Sequence, residues 1–282
     1  MHSNKHSLLI ILLLLIVSLP QAALSADKNF RLRLHQNNAD INTLSDIDTE
    51  VKFGKTISAR ILGQFKEYKN EGLKRYVNLV GKSLAMNSSR DEIEFHFSVL
   101  NADFINAYSA PGGYVFITKG AIKAMRDEAE LAAVLAHEVA HITRKHIVNE
   151  FKIKAADDSA TAGLSNLLGS SSSSAKVAFS QSVDNAVNML INKGFKKEEE
   201  LDADKEALLL LAATGYDPSS MRRYLKRTKH IIKKTQSRTK HKPTHPPTSK
   251  RIKSLKRIAK QEGLNRLKLP RANARFNKYV RL

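Results

Sequence analysis

Cysteine is absent from all 282 residues. That excludes disulfides, a thiolate-bound metal and a lipid-modified N-terminal cysteine, so stability must come from packing or from a metal held by other ligands. Glycine and proline are sparse, at 12 and 7 residues, and 42% of the chain is hydrophobic, enough for an ordinary core. Acidic residues are nearly missing from one region. After residue 220 there are 22 Lys and Arg against the single acid Glu262, which leaves 25 basic and 26 acidic residues before it. The body is near neutral, and the formal charge of +20 belongs almost wholly to the last quarter.

Long apolar runs are also scarce. Residues 8–19 are apolar apart from Ser18, with Lys5 before them and Pro20, Ala22, Ala23, Ser25 and Ala26 after. A dozen residues fall short of the roughly 20 that span a bilayer. The order of basic start, short apolar stretch and small-residue exit predicts a signal peptide over 1–26, cut near Ser25 or Ala26. Residues 27–50 follow as a polar lead-in. Secretion across the inner membrane into a bacterial periplasm fits a chain without cysteine.

Past residue 50 the apolar residues recur at helical steps, first through Val51, Ile57, Ile61, Leu62 and Phe65, then through Leu73, Tyr76, Val77, Val80 and Leu84. Residues 92–101 alternate instead, with Ile93, Phe95, Phe97 and Val99 apolar between Glu94, His96 and Ser98, which predicts a half-buried strand. Residues 106–109 predict a second strand and Pro111-Gly112-Gly113 a turn. Tyr114, Val115, Phe116, Ile117 and Thr118 predict a third strand, closed by Gly120. The clearest helix runs from Glu128 to about Glu150, capped by Asp127 with Glu130 in the capping-box position. Residues 155–192 read as looser, with the serines 170–174 as a slack connector or a lid. A helix over 197–213 stops at Gly215, and Asp217-Pro218 starts another. Together these predict a mostly helical α+β fold with a small antiparallel sheet beside the long helix.

His137-Glu138-Val139-Ala140-His141 lies inside that helix, flanked by Leu131, Val134, Leu135 and Ile142. Residues four apart share a helix face, so both imidazoles reach one ion. Glu138 sits about 100° round, close enough to serve a ligand on that ion without binding it. This is the arrangement of a zinc protease, two nitrogen ligands and a neighbouring carboxylate base. His146, nine residues from His137, is half a helical circumference away and is expected to point elsewhere. A catalytic zinc takes a third protein ligand, and without cysteine a carboxylate or another histidine must serve. The acidic stretch 198–204 is the better source, with Glu200 and Asp204 on one helix face. Spacing does not choose among Glu198, Glu199 and Glu200.

Taken in order, these motifs resemble the metalloprotease family that includes HtpX, BepA, the mitochondrial Oma-type proteases and the CaaX prenyl proteases. The matching residues are Asn106-Ala107 with Pro111-Gly112-Gly113 and Gly120, the His-Glu-x-x-His helix, Glu200-Leu201-Asp202-Ala203-Asp204, and His245-Pro246 with Arg251. The resemblance implies a zincin-like metalloprotease domain over 51–260, followed by a basic C-terminal tail over 261–282. It implies one Zn2+ per chain held by His137, His141 and Glu200, with Glu138 as catalytic base and Asp204 orienting a ligand histidine. His245, with Arg251 near it, would be an extra ligand or would steady the reacting carbonyl. Tyr114, Val115, Phe116, Ile117 and Thr118 would form an edge strand along which a substrate lies extended.

The function these implications describe is a zinc-dependent endopeptidase acting on envelope proteins in quality control. The competing readings are a non-catalytic holdase with a structural zinc, against which the intact Glu138 speaks, and a latent enzyme blocked by His245 or by the serine-rich segment. The basic tail suits an anionic membrane surface or an envelope polymer. Secretion argues against nucleic acid as a partner.

Overall fold

The computed structural model describes residues 30, 32–34, 44–153, 172–235 and 243–280. The signal segment, most of the lead-in, and Ser170 and Ser171 lie outside the described residues. The first long helix, α1 (Leu44–Phe65), begins inside the stretch read as a polar lead-in. Its acid is used internally. Glu50 is buried, accepts the Gly112 N–H at 2.9 Å on one oxygen and Arg90 Nη2 at 2.8 Å on the other. Helix α2 (Glu71–Ala85) opens with Asn70 accepting the Leu73 N–H at 3.0 Å, and it buries Leu73, Tyr76, Val77, Val80 and Leu84 as their spacing predicts.

Strands β1 (His96–Leu100), β2 (Ala107–Ala110) and β3 (Tyr114–Thr118) form one sheet in the order β1-β3-β2. The turn at Pro111-Gly112-Gly113 folds β3 back antiparallel on β2, Ser109 opposite Val115. Only glycine fits there: Gly113 has φ +94°, and a Cβ on it would lie 2.2 Å from the Glu94 carbonyl oxygen. The chain crosses from β1 to the far edge before this hairpin, so β3 returns into the gap and runs parallel to β1, Phe97 opposite Val115. The sheet is therefore mixed, where an antiparallel one was expected. A second expectation is corrected by the same order. β3 is central and paired on both sides, so Tyr114, Val115, Phe116, Ile117 and Thr118 have no free backbone edge for a peptide. The edge strand that reaches the long helix is β2.

After the short α3 (Lys119–Lys123), helix α4 (Glu128–Thr143) runs through the centre of the molecule, buried along its whole length. Asp127 caps it by accepting the Glu130 N–H at 2.9 Å, and the Glu130 carboxylate accepts the Arg126 N–H at 2.9 Å. The sheet, α2, α7 (Lys197–Thr214) and α8 (Ser219–Thr235) pack around it, which is why it is apolar on every side. It ends at Thr143 rather than near Glu150. Lys145 is left-handed at φ +54°, and α5 (His146–Glu150) sets off in a new direction. No glycine or proline marks this break. Arg144 instead reaches across to Asp202 at 2.5 Å.

Ser172 accepts the Ala175 N–H at 3.2 Å and opens α6 (Ser173–Asn188), so serines 172–174 start a helix rather than a slack connector. Phe179 on α6 packs edge-on against Phe53 of α1, ring centroids 5.9 Å apart, and a π-helical turn (Met189–Lys193) extends the helix onto β2. Gly215, left-handed at φ +87°, stops α7, and Asp217 accepts the Ser219 N–H at 2.9 Å to start α8. Thr248 caps α9 (Ser249–Gln261), and α10 (Asn273–Tyr279) follows.

The described part of the basic quarter folds back onto the domain, with Leu264 and Phe276 in the core. The fully buried Glu128 accepts the Tyr76 hydroxyl at 2.8 Å, the Tyr216 hydroxyl at 2.7 Å and the Arg275 guanidinium. The Arg271 carbonyl takes the Ala129 N–H at 3.1 Å. Arg223 meets Asp127 at 2.9 Å and Arg227 meets Glu130 at 3.0 Å. Arginines of the last quarter thus neutralise the acids at the head of α4.

The Glu50–Arg90 pair joins α1 to the hairpin turn and, through Arg90 Nη1 on the Ile142 carbonyl at 3.3 Å, to the end of α4. Arg90→Ala leaves a buried carboxylate without its cation and is expected to cost about 3–5 kcal/mol. Urea unfolding measures this, and adding Glu50→Gln should restore part of the loss.

Candidate metal centre

α4 and α7 pack side by side, and their facing residues converge. His137 and His141 project from α4, one turn apart, with their Nε2 atoms 3.2 Å from each other. Glu200 comes from the first turn of α7. Its Oε2 lies 3.7 Å from His137 Nε2 and its Oε1 3.6 Å from His141 Nε2. The loop before α9 adds His245, whose Nδ1 is 2.6 Å from Glu200 Oε1 and 3.4 Å from His137 Nε2. One ligand-type atom from each of the four lies within 4.8 Å of the others.

Among the three consecutive acids, packing makes the choice that spacing left open. Glu198 is exposed, Glu199 turns back to accept the Lys196 N–H at 2.8 Å, and Glu200 alone is buried. Asp204, one turn on and fully buried, brings Oδ1 to 3.2 Å from His137 Nδ1. Arg251 of α9 holds both acids. Its Nε donates to Asp204 Oδ2 at 2.9 Å and its Nη2 to Oδ1 at 2.7 Å, while Nη1 sits 2.7 Å from Glu200 Oε2. Glu138 faces the same space. Its Oε2 accepts from Ser109 Oγ at 2.9 Å, and its Oε1 lies 3.7 Å from His245 Nε2.

The electrostatics match a cation site. Burial drives the His141 imidazole well below its usual range, towards the neutral form that ligation needs. Burial also works against an ionised Glu200, yet His245 and Arg251 hold that carboxyl well below its usual range. At His137 burial and Arg251 press downward, but Asp204 and Glu200 outweigh them and push it up to about 9. A ring that draws a proton so strongly sits in a negative potential, which a divalent metal would share. Glu200 Oε2 is buried without a well-aligned hydrogen bond, as is the Arg251 Nη1 beside it. Imidazoles plus one carboxylate, with no sulfur, form a donor set suited to zinc.

Three neighbours were not legible in the pattern. Ser109 fixes one oxygen of Glu138. Phe195 stacks on the His141 ring, centroids 3.8 Å apart at 17°. It follows Gly194 (φ +78°), where a Cβ would lie 2.1 Å from the Thr244 carbonyl, so the π turn and the His245 loop are pressed together. His146, expected to point away, is buried with its Nδ1 2.8 Å from His141 Nδ1. The expectation assumed an unbroken helix, and the left-handed Lys145 removes that premise. Beside His137 and Glu138 opens a small cleft walled by Ile105, Val134, Met221, Tyr224, Leu225 and Ile232.

Known proteins share this layout in sequence. The profile of peptidase family M48 matches residues 71–259, more than half of the chain and all of the centre. A beta-barrel assembly-enhancing protease of Yersinia pestis is 29% identical over 202 residues, 67% of this chain and 39% of that protein. One from Escherichia coli (strain K12) is 25% identical over 224 residues, 78% of this chain and 45% of that protein. The mitochondrial metalloendopeptidase OMA1 of Schizosaccharomyces pombe is 26% identical over 184 residues, 64% of this chain and 51% of that protein. The chain therefore spans about half or less of the length of these relatives. With the family profile covering both helices of the centre, the chain belongs to peptidase family M48, a family of metalloproteases.

Proposed function

We propose that this chain is a zinc-dependent endopeptidase in which His137, His141 and Glu200 hold one Zn2+ and Glu138 is the catalytic base. The observation that carries the reading is the approach of both Glu200 oxygens to within 3.7 Å of the two α4 imidazoles, across 59 residues of sequence. Bound zinc supplies Lewis-acid activation of water and of the peptide carbonyl. The protein's own groups do the rest. Ser109 pins Glu138 Oε2, which leaves Oε1 to take a proton from water and deliver it to the leaving amine. Asp204, held by Arg251, faces His137 Nδ1 and keeps the Nε2 lone pair turned to the centre. The apolar cleft beside Glu138 would take a side chain of a polypeptide substrate.

The relatives named for beta-barrel assembly support envelope proteins as substrates and quality control as the setting. The short apolar run 8–19 with its small-residue exit, read as a leader, supports secretion to the periplasm. No helix among the described residues is long and apolar enough to cross a membrane. Glu138→Gln should retain one zinc per chain and lower casein hydrolysis by at least about 100-fold. A chelator should stop the wild-type protein. Zinc-loaded wild type that binds unfolded clients without cleaving them would establish the holdase reading instead.

His245 favours a second element of this reading, a closed resting state. It lies between Glu200 Oε1 and Glu138 Oε1, where it would take the space of a reacting carbonyl. His245→Ala should raise casein hydrolysis severalfold. A fall in turnover would give His245 the transition-state role and end the closed-state reading.

The surface of α8 and α9 is lysine-rich, with Lys226, Lys233, Lys234, Lys250, Lys253, Lys256 and Lys260 exposed. This face is proposed to draw the protein to an anionic membrane surface or envelope polymer. Cosedimentation with phosphatidylglycerol vesicles should occur at low salt and fade towards 1 M, where screening acts within about 3 Å. Absence of binding at low salt would remove the proposal.

A further inference from the structure

We infer that His146 and Asp202 are positioning residues that set the tautomer and orientation of His141, through a relay from Asp202 to His146 to His141. The inference rests on the metal reading of the centre. An imidazole that gives one nitrogen to a metal is oriented by whatever meets its other nitrogen. His141 Nε2 faces the centre, 3.2 Å from His137 Nε2 and 3.6 Å from Glu200 Oε1. Its Nδ1 faces away and lies 2.8 Å from His146 Nδ1.

Two ring nitrogens at that distance share one proton. If Nε2 of His141 keeps its lone pair for the metal, the proton sits on His141 Nδ1, and His146 Nδ1 accepts it. The proton of His146 must then be on its Nε2. That nitrogen lies 3.5 Å from Asp202 Oδ2, longer than a direct hydrogen bond but near enough to favour the Nε2–H form electrostatically. Asp202 is itself fixed by Arg144 Nε at 2.5 Å. Every link runs in one direction, from carboxylate to imidazole to ligand.

The backbone is shaped for this contact. His146 reaches His141 only because α4 stops at Thr143 and Lys145 turns left-handed, at φ +54°. The ring is then enclosed, 7% exposed, while Phe195 covers the face of His141. The two metal-site histidines are thus supported differently. His137 meets Asp204 directly, whereas His141 meets its carboxylate through a second imidazole. Asp202 lies on the same helix as Glu200 and Asp204, so α7 would supply a ligand and the anchors of both supports.

Imidazole 15N NMR on the zinc-loaded full chain tests the relay without any substitution. The expected pattern is a protonated Nδ1 on His141, with a protonated Nε2 and bare Nδ1 on His146. A proton on His146 Nδ1 instead would overturn the relay. In chelator competition, His146→Leu should weaken zinc binding by roughly 10–100-fold. His146→Gln, whose carbonyl can accept the Nδ1–H, should recover most of that loss. Unchanged zinc affinity in the Leu variant overturns the inference. Should that variant fail to fold, the Gln variant and the wild-type tautomers still decide. A wild-type chain that takes up no zinc overturns the metal reading itself, an outcome distinct from a wrong tautomer.

Discussion

The centre depends on one guanidinium. Glu138, Glu200 and Asp204 are all buried, and unpaired buried charges cost several kcal/mol apiece. Arg251 sits between Glu200 and Asp204 and bonds or pairs with both. With His137 neutral, as ligation requires, three ionised carboxylates against one guanidinium would leave two negative charges, the complement of one divalent ion. The same residue ties α9 to α7, so the last quarter of the chain is joined to the chemistry by an ion pair as well as by apolar contacts. Arginine suits this place because its flat fork meets two carboxylates at once without losing its charge.

What the sequence made legible was local. The His-Glu-x-x-His face, the apolar stripe of α2, the cap at Asp127, the stop at Gly215 and the start at Asp217 each depend on neighbours within a turn or two. What it hid was set by partners far along the chain. The strand between β1 and β2 is filled by β3, an outcome of pairing order that alternation does not encode. Glu200 differs from Glu198 and Glu199 only in what it faces. The end of α4 carries no breaker, because Arg144 and His146 turn away to reach Asp202 and His141 and the chain bends to follow. Glu50 lies in a stretch whose polarity reads as loosely held, yet its carboxylate is a core acceptor.

The charge map misled in a related way. Counting Lys and Arg together marks the last quarter as a uniform basic surface. The structure divides them unevenly. Arg223, Arg227 and Arg251 turn inward to acids of α4 and α7 and Arg275 reaches Glu128 from the surface, while Arg257, Arg266 and most of the lysines of α8 and α9 stay in water. The stronger hydration of an ammonium and the bidentate reach of a guanidinium account for that division.

The clamp at the head of α4 also orders events in time. Glu128 cannot be fully sheltered until Arg275, 147 positions later, has arrived, and Arg251 likewise follows Asp204 by 47. Contacts of such long range form late, because the entropy of closing their loops must be met first. A nascent or partly folded chain would hold its two α4 imidazoles on an unfinished scaffold. Cutting power would then emerge only with a completed molecule, a safeguard for any cell that must make a protease beside the proteins it could destroy.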